Sequence, residues 1–107
     1  NPKEKHFGVD VVAPQNEAIK ATLDGTVIFA EWTVETGYVI QLQHSNNLTS
    51  IYKHNSVLLK KAGDVVKAGE AIAVVGNSGE LSSGPHLHFE LWQDGVALDP
   101  SNYINFN

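Results

Sequence analysis

Apolar and polar residues alternate with a period of two along most of the chain, and no long 3.6-residue pattern interrupts them. The segment Gly37-Tyr-Val-Ile-Gln-Leu-Gln-His44 sets Tyr38, Ile40 and Leu42 on one face and Val39, Gln41 and Gln43 on the other. Asp24-Gly25 reads as a hairpin turn joining a strand over Ala18–Leu23 to one over Thr26–Trp32. Ser45-Asn46-Asn47 reads as the turn into a strand Leu48–His54, and Asp94-Gly95 links His86–Trp92 to a short strand Val96–Leu98. Six or more short strands with tight turns predict an all-β, compact antiparallel sheet or sandwich with little or no helix. A weak internal echo joins Glu17–Val27 to Asp64–Val74, which share an apolar-Lys-Ala pattern with a nearby turn glycine.

One stretch breaks the alternation. Gly76-Asn-Ser-Gly-Glu-Leu-Ser-Ser-Gly-Pro85 carries three Gly, three Ser and a Pro in ten residues, a composition that suits neither strand nor helix. This loop delivers the chain directly into His86, and polar loops beside clustered histidines are where function tends to sit.

The 107 residues amount to one domain with a core that needs no disulfide. A hydrophobic fraction of 42% and a charged fraction of 18% exclude intrinsic disorder. Seven basic and twelve acidic residues give a net charge of −5, with no basic cluster beyond Lys60-Lys61, so a nucleic-acid groove is not expected. Apolar runs such as Ala71 to Val75 fall far short of the ~20 residues of a membrane helix. The chain opens at Asn1 with no signal peptide, and is expected to be a piece of a longer protein. Zero cysteines exclude thiolate metal sites, which makes the five histidines the chemistry to explain.

His86 and His88 lie two apart at the start of a strand, so their imidazoles project from one face with Cα atoms roughly 7 Å apart. One of them could ligate a metal while the other faces its open position. His6 and Asp10 would stand about 13 Å apart on an extended strand, so joint action needs a bend, and Gly8 permits one. Two His and one Asp make three N/O ligands, the number a catalytic zinc uses while keeping its fourth position for water. Such a set is too poor in oxygen for Ca²⁺. His54, at a strand end in Tyr52-Lys53-His54-Asn55, is a candidate acid/base group, and His44 reads as a hairpin-end bystander.

In this order, His6-x-x-x-Asp10, Tyr52-x-His54 and Gly84-Pro-His86-Leu-His88-Phe-Glu90 resemble the lysostaphin-like zinc endopeptidases that cut peptidoglycan cross-links. The similarity extends through nearly the whole chain, including Asp24-Gly25, Gly63–Gly69 and the Gly-Asn-Ser-Gly loop at 76–79. It implies a barrel-sandwich hybrid fold with a surface groove. It further implies one Zn²⁺ held by His6, Asp10 and His88, with His54 and His86 uncoordinated beside the water and sharing proton transfer and oxyanion stabilisation. The loop residues Asn77, Ser78, Gly79, Ser83 and Gly84 would line one wall of the groove, as would the Glu31–Thr36 connection. The implied location is the bacterial cell envelope, with the targeting or anchor segment, and any regulatory segment, upstream of this piece.

Two other classes compete. Some relatives in this family have lost zinc and act only as activators of other wall hydrolases, so a non-catalytic wall-binding or amidase-activating domain is the main alternative. Val65-Val-Lys-Ala-Gly69 also resembles the turn of biotin- and lipoyl-carrier domains, but a carrier gives no reason for His6, Asp10 and His88 to occur together.

Overall fold

In the computed structural model, the described residues are 9–12, 17–76 and 86–99, with backbone alone for Val9–Val12 and His86. They form nine strands: β1 Val9–Val12, β2 Ala18–Lys20, β3 Gly25–Thr33, β4 Gly37–Gln43, β5 Leu48–Leu58, β6 Val65–Val66, β7 Ala71–Val75, β8 His86–Gln93 and β9 Val96–Leu98. One turn of 3₁₀ helix, Ser45–Asn47, is the only helical element among the described residues. Every pairing is antiparallel, and the sheet runs β1-β8-β5-β4-β3-β6, with β2 joined through β7 to β5 and β9 to β8. The all-β architecture expected from period-two alternation is therefore the one present.

Short-range turn signals fare unevenly. Asp94 and Gly95 both take positive φ (52° and 80°) and close the β8–β9 hairpin, as a two-residue turn of mirror-image type requires. Asn46 and Asn47 are likewise left-handed and turn the chain from β4 into β5, which runs on to Leu58, four residues beyond the expected end. Asp24-Gly25 is not a hairpin turn. β2 pairs with β7, whereas β3 pairs with β4 and β6, so the strands flanking Asp24-Gly25 are not neighbours. Gly25 answers to a different need. A Cβ there would lie 2.5 Å from the Gln43 carbonyl oxygen and 2.7 Å from His44 Nδ1, so only glycine lets β3 leave at this point. The two echoing segments lie against each other, β2 on β7 and the start of β3 on β6.

The core gathers the inward faces of the central strands. Ile40, Leu42, Tyr52, Ile72, Phe89 and Leu91 are essentially inaccessible to water. Tyr52 and Phe89 oppose each other in the β5–β8 ladder with ring centroids 5.2 Å apart and planes tilted by 57°. Val39 is buried although alternation set it opposite Ile40, and Tyr38 is exposed. An irregularity in the β4–β5 register between Tyr38 and Ile40 causes this exchange of faces. The same irregularity sets up the site.

Candidate functional site

The β5–β8 ladder opposes Tyr52 to Phe89 and Lys53 to His88. Tyr52 and Phe89 face the core, so Lys53 and His88 share the other side. Regular alternation would then return His54 to the Tyr52 side. It does not, because His54 takes φ +68°, a left-handed conformation that non-glycine residues rarely adopt. The bulge turns His54 toward β8, where its ring meets the His88 ring edge-on, centroids 6.3 Å apart and planes at 85°. Asn55 then resumes the inward direction and donates from Nδ2 to the Tyr38 and Tyr52 carbonyls. The kink is anchored by His54 N–H donating to the Thr36 carbonyl at 2.8 Å, in the β3–β4 turn whose Thr33 and Thr36 hydroxyls hydrogen-bond each other. Backbone held in this sparsely populated region costs about 1–3 kcal/mol and persists only where the surrounding contacts fix it.

On the outer side of β8, His88, Glu90 and Trp92 follow one another at intervals of two. Glu90 is buried and accepts three hydrogen bonds, from His88 Nε2 at 2.9 Å, Lys53 Nζ at 2.8 Å and Trp92 Nε1 at 2.9 Å. Burial alone would raise its carboxyl pKa. The hydrogen bonds from His88, Lys53 and Trp92, with the Lys53 charge, outweigh it and bring the pKa down to about 2.

β1 completes the arrangement from the far side of β8, pairing Asp10 with His88 and Val12 with His86. Directly opposed residues in an antiparallel pair have Cα atoms about 4.5–5.5 Å apart. The sheet thus sets Asp10, His88 and Lys53-His54 side by side across three strands. A residue pair contributed by an acidic and an imidazole side chain suits a borderline-soft divalent metal such as zinc. His6, the side chains of Asp10 and His86, and the loop residues Asn77, Ser78, Gly79, Ser83 and Gly84 lie outside the described residues. Among the described residues no three His, Asp or Glu side chains converge on one point.

His44 stands apart from this group. It is buried, with Nδ1 2.7 Å from the Asp24 carbonyl oxygen and Nε2 2.7 Å from Ser50 Oγ, which continues to Tyr52 Oη at 2.9 Å. It stands at the end of the β4–β5 hairpin, as expected, and is a buried structural histidine held by both ring nitrogens. Of the Glu31–Thr36 connection, Glu31, Trp32 and Thr33 belong to β3, and the turn itself is Val34 to Thr36. Sequence reading assigned no role to Lys53, Glu90 or Trp92. The period-two spacing His88-x-Glu90-x-Trp92 was the available signal, since it puts the three on one face.

Residues 4–100 match Peptidase family M23. The chain is 35% identical over 95 residues, 89% of its length, to the DD-carboxypeptidase/endopeptidase Mpg of Neisseria meningitidis, of which it covers 22%. It is also 35% identical over 98 residues, 91% of its length, to the murein hydrolase activator NlpD of Salmonella typhimurium, of which it covers 26%. Among solved structures, the catalytic domain of the antimicrobial peptidase lysostaphin from Staphylococcus simulans superposes with a TM-score of 0.84 at 33% identity, over 92% of this chain and 77% of that one. The chain spans about a fifth to a third of the length of the curated relatives it matches. With a family match over nearly its whole length and the lysostaphin fold, the chain belongs to peptidase family M23.

Proposed function

We propose that this chain is a zinc-dependent endopeptidase domain that hydrolyses peptide cross-links of bacterial peptidoglycan, residues 1–107 forming one catalytic unit of a longer envelope protein. The observation that carries the reading is the sheet register: Asp10 opposite His88 on one side, and His54 kinked toward His88 from the other. His6, Asp10 and His88 would hold the metal. When bound, zinc supplies a water acidic enough to act as a nucleophile near neutral pH and an electrophile for the scissile carbonyl.

His54 sits beside His88 with a ring neither on the strand's regular face nor exposed to bulk water, which suits a group that must take or give a proton at one fixed place. His86, two residues before His88 on β8, would be its counterpart, one accepting the proton of the attacking water and the other stabilising the developing oxyanion or leaving amine. Asn77, Ser78, Gly79, Ser83 and Gly84, small and polar, would leave room for an extended peptide along one wall of the groove.

A relative named as a murein hydrolase activator at 35% identity favours a second reading, in which the same fold binds wall peptide or activates a partner hydrolase without cutting. One experiment separates the two. Purified peptidoglycan is incubated with the zinc-loaded domain, with and without chelator, and new amine ends are identified. Chelator-sensitive release of new amines establishes the peptidase. Intact peptidoglycan with stimulated hydrolysis by an added amidase establishes the activator.

A further inference from the structure

Glu90 occupies an unusual position for a carboxylate. It is buried, yet its two oxygens accept from three donors on two strands: Lys53 Nζ and His88 Nε2 on Oε2, and Trp92 Nε1 on Oε1. A carboxylate held by an ammonium group at 2.8 Å is ionised and can only accept. His88 Nε2 must therefore carry a hydrogen, and in a neutral imidazole the lone pair then resides on Nδ1. The ring plane is fixed by the same contact, because Nε2–H has to aim at an oxygen that Lys53 and Trp92 already hold in place.

We infer that Glu90, clamped by Lys53 and Trp92, is a positioning residue that sets the tautomer and ring orientation of His88 and so presents Nδ1 for metal ligation. The inference rests on the reading of His88 as a ligand. Its physical basis is general: an imidazole ligand whose second nitrogen is hydrogen-bonded to a carboxylate has its tautomer set and its basicity raised, and loss of that partner typically costs roughly 10–100-fold in metal affinity. Lys53 has a specific part in this. By pairing with the carboxylate from the strand that also carries His54, it neutralises a buried charge and ties β5 to β8 beside the paired rings.

Glu90→Gln tests it. A glutamine keeps the shape but has one acceptor oxygen, so its amide NH₂ must face a donor and the three-way clamp cannot be retained. Two readouts are taken on the full chain: zinc affinity by competition with a chelator, and the ¹⁵N chemical shifts of the histidine rings in the metal-free protein at a pH where they are neutral. The unsubstituted chain is expected to show His88 as the Nε2–H tautomer. Glu90→Gln is expected to mix the tautomers and weaken zinc binding roughly 10–100-fold. Trp92→Phe, which removes one donor and leaves the His88 contact, provides the milder variant should Glu90→Gln not fold. It is expected to weaken zinc binding several-fold and broaden the His88 ring signals.

His88→Ala is measured alongside. Affinity lost in His88→Ala but retained in Glu90→Gln, with an unchanged His88 tautomer, overturns the role of Glu90 alone. Affinity unchanged in His88→Ala overturns the ligand reading, and this inference with it.

Discussion

The left-handed backbone at His54 separates what a residue costs from what it contributes. Glycine adopts φ +68° without the steric penalty that any β-carbon incurs, so His54→Gly should be more stable than His54→Ala by about 1 kcal/mol in urea denaturation. Both variants should lose hydrolysis roughly 10²–10⁴-fold while retaining zinc, as expected for removal of one acid/base group. Near-normal turnover in either removes His54 from the chemistry. Glu90 adds a dependence on pH. Its folded-state carboxyl lies below its ordinary value, so the stabilisation is complete above about pH 5 and is lost as pH falls toward 2. Thermal unfolding of the metal-free chain should show that acid-side loss, and Glu90→Gln should flatten it. The sequence suggested a strand end at His54, whereas His54 lies inside β5 at a left-handed position that the sequence does not show. Nothing in Tyr-Lys-His-Asn marks a bulge, which arises from how β4 meets β5.

At the scale of elements, alternation predicted most of the strands that exist and one neighbour relation that does not. Period two records that a segment is extended and half-buried, and it is blind to partner choice. β2 and β3 are both extended, and Asp24-Gly25 lies between them, yet β2 joins β7 across the sheet. The Asp-Gly signal misled because Gly25 is there for close approach. Gly25→Ala should cost about 1–3 kcal/mol, since the added carbon meets the fixed Gln43 carbonyl and the wedged His44 ring. A thermal midpoint within error of the parent would show that β3 can shift. The strand β8, by contrast, was legible almost residue for residue, because the Gly-rich loop marks its beginning and Asp94-Gly95 its end.

For the whole molecule, the relation between metal and fold is the measurable quantity. Three ligands drawn from separated parts of the chain would be assembled only in the native state, so zinc should stabilise it by mass action. A free zinc concentration one hundred times Kd adds about 2.7 kcal/mol, which for a domain of this length raises Tm on the order of 10 °C. Differential scanning calorimetry with zinc, with chelator and with Asp10→Ala checks this, and an equal Tm in all three removes zinc from the native state. Composition alone narrowed the metal chemistry: with no cysteine, only nitrogen and oxygen side-chain ligands are available. Family membership was likewise legible, because the three motifs keep their order over the span that matches peptidase family M23.

The pairing of β1 with β8 has a consequence in time as well as in space. Asp10 and His88 are near opposite ends of the described chain, and their register forms only after everything between them has been made. Contacts of such long sequence separation close late, because the loop entropy they must overcome is the largest in the fold. During synthesis, the strands from β2 to β7 can pair while β8 is still inside the ribosome. A chain interrupted before His86 lacks the strand that joins β1 to β5. The β1–β8 register is thus the step at which Asp10 and His88 come together.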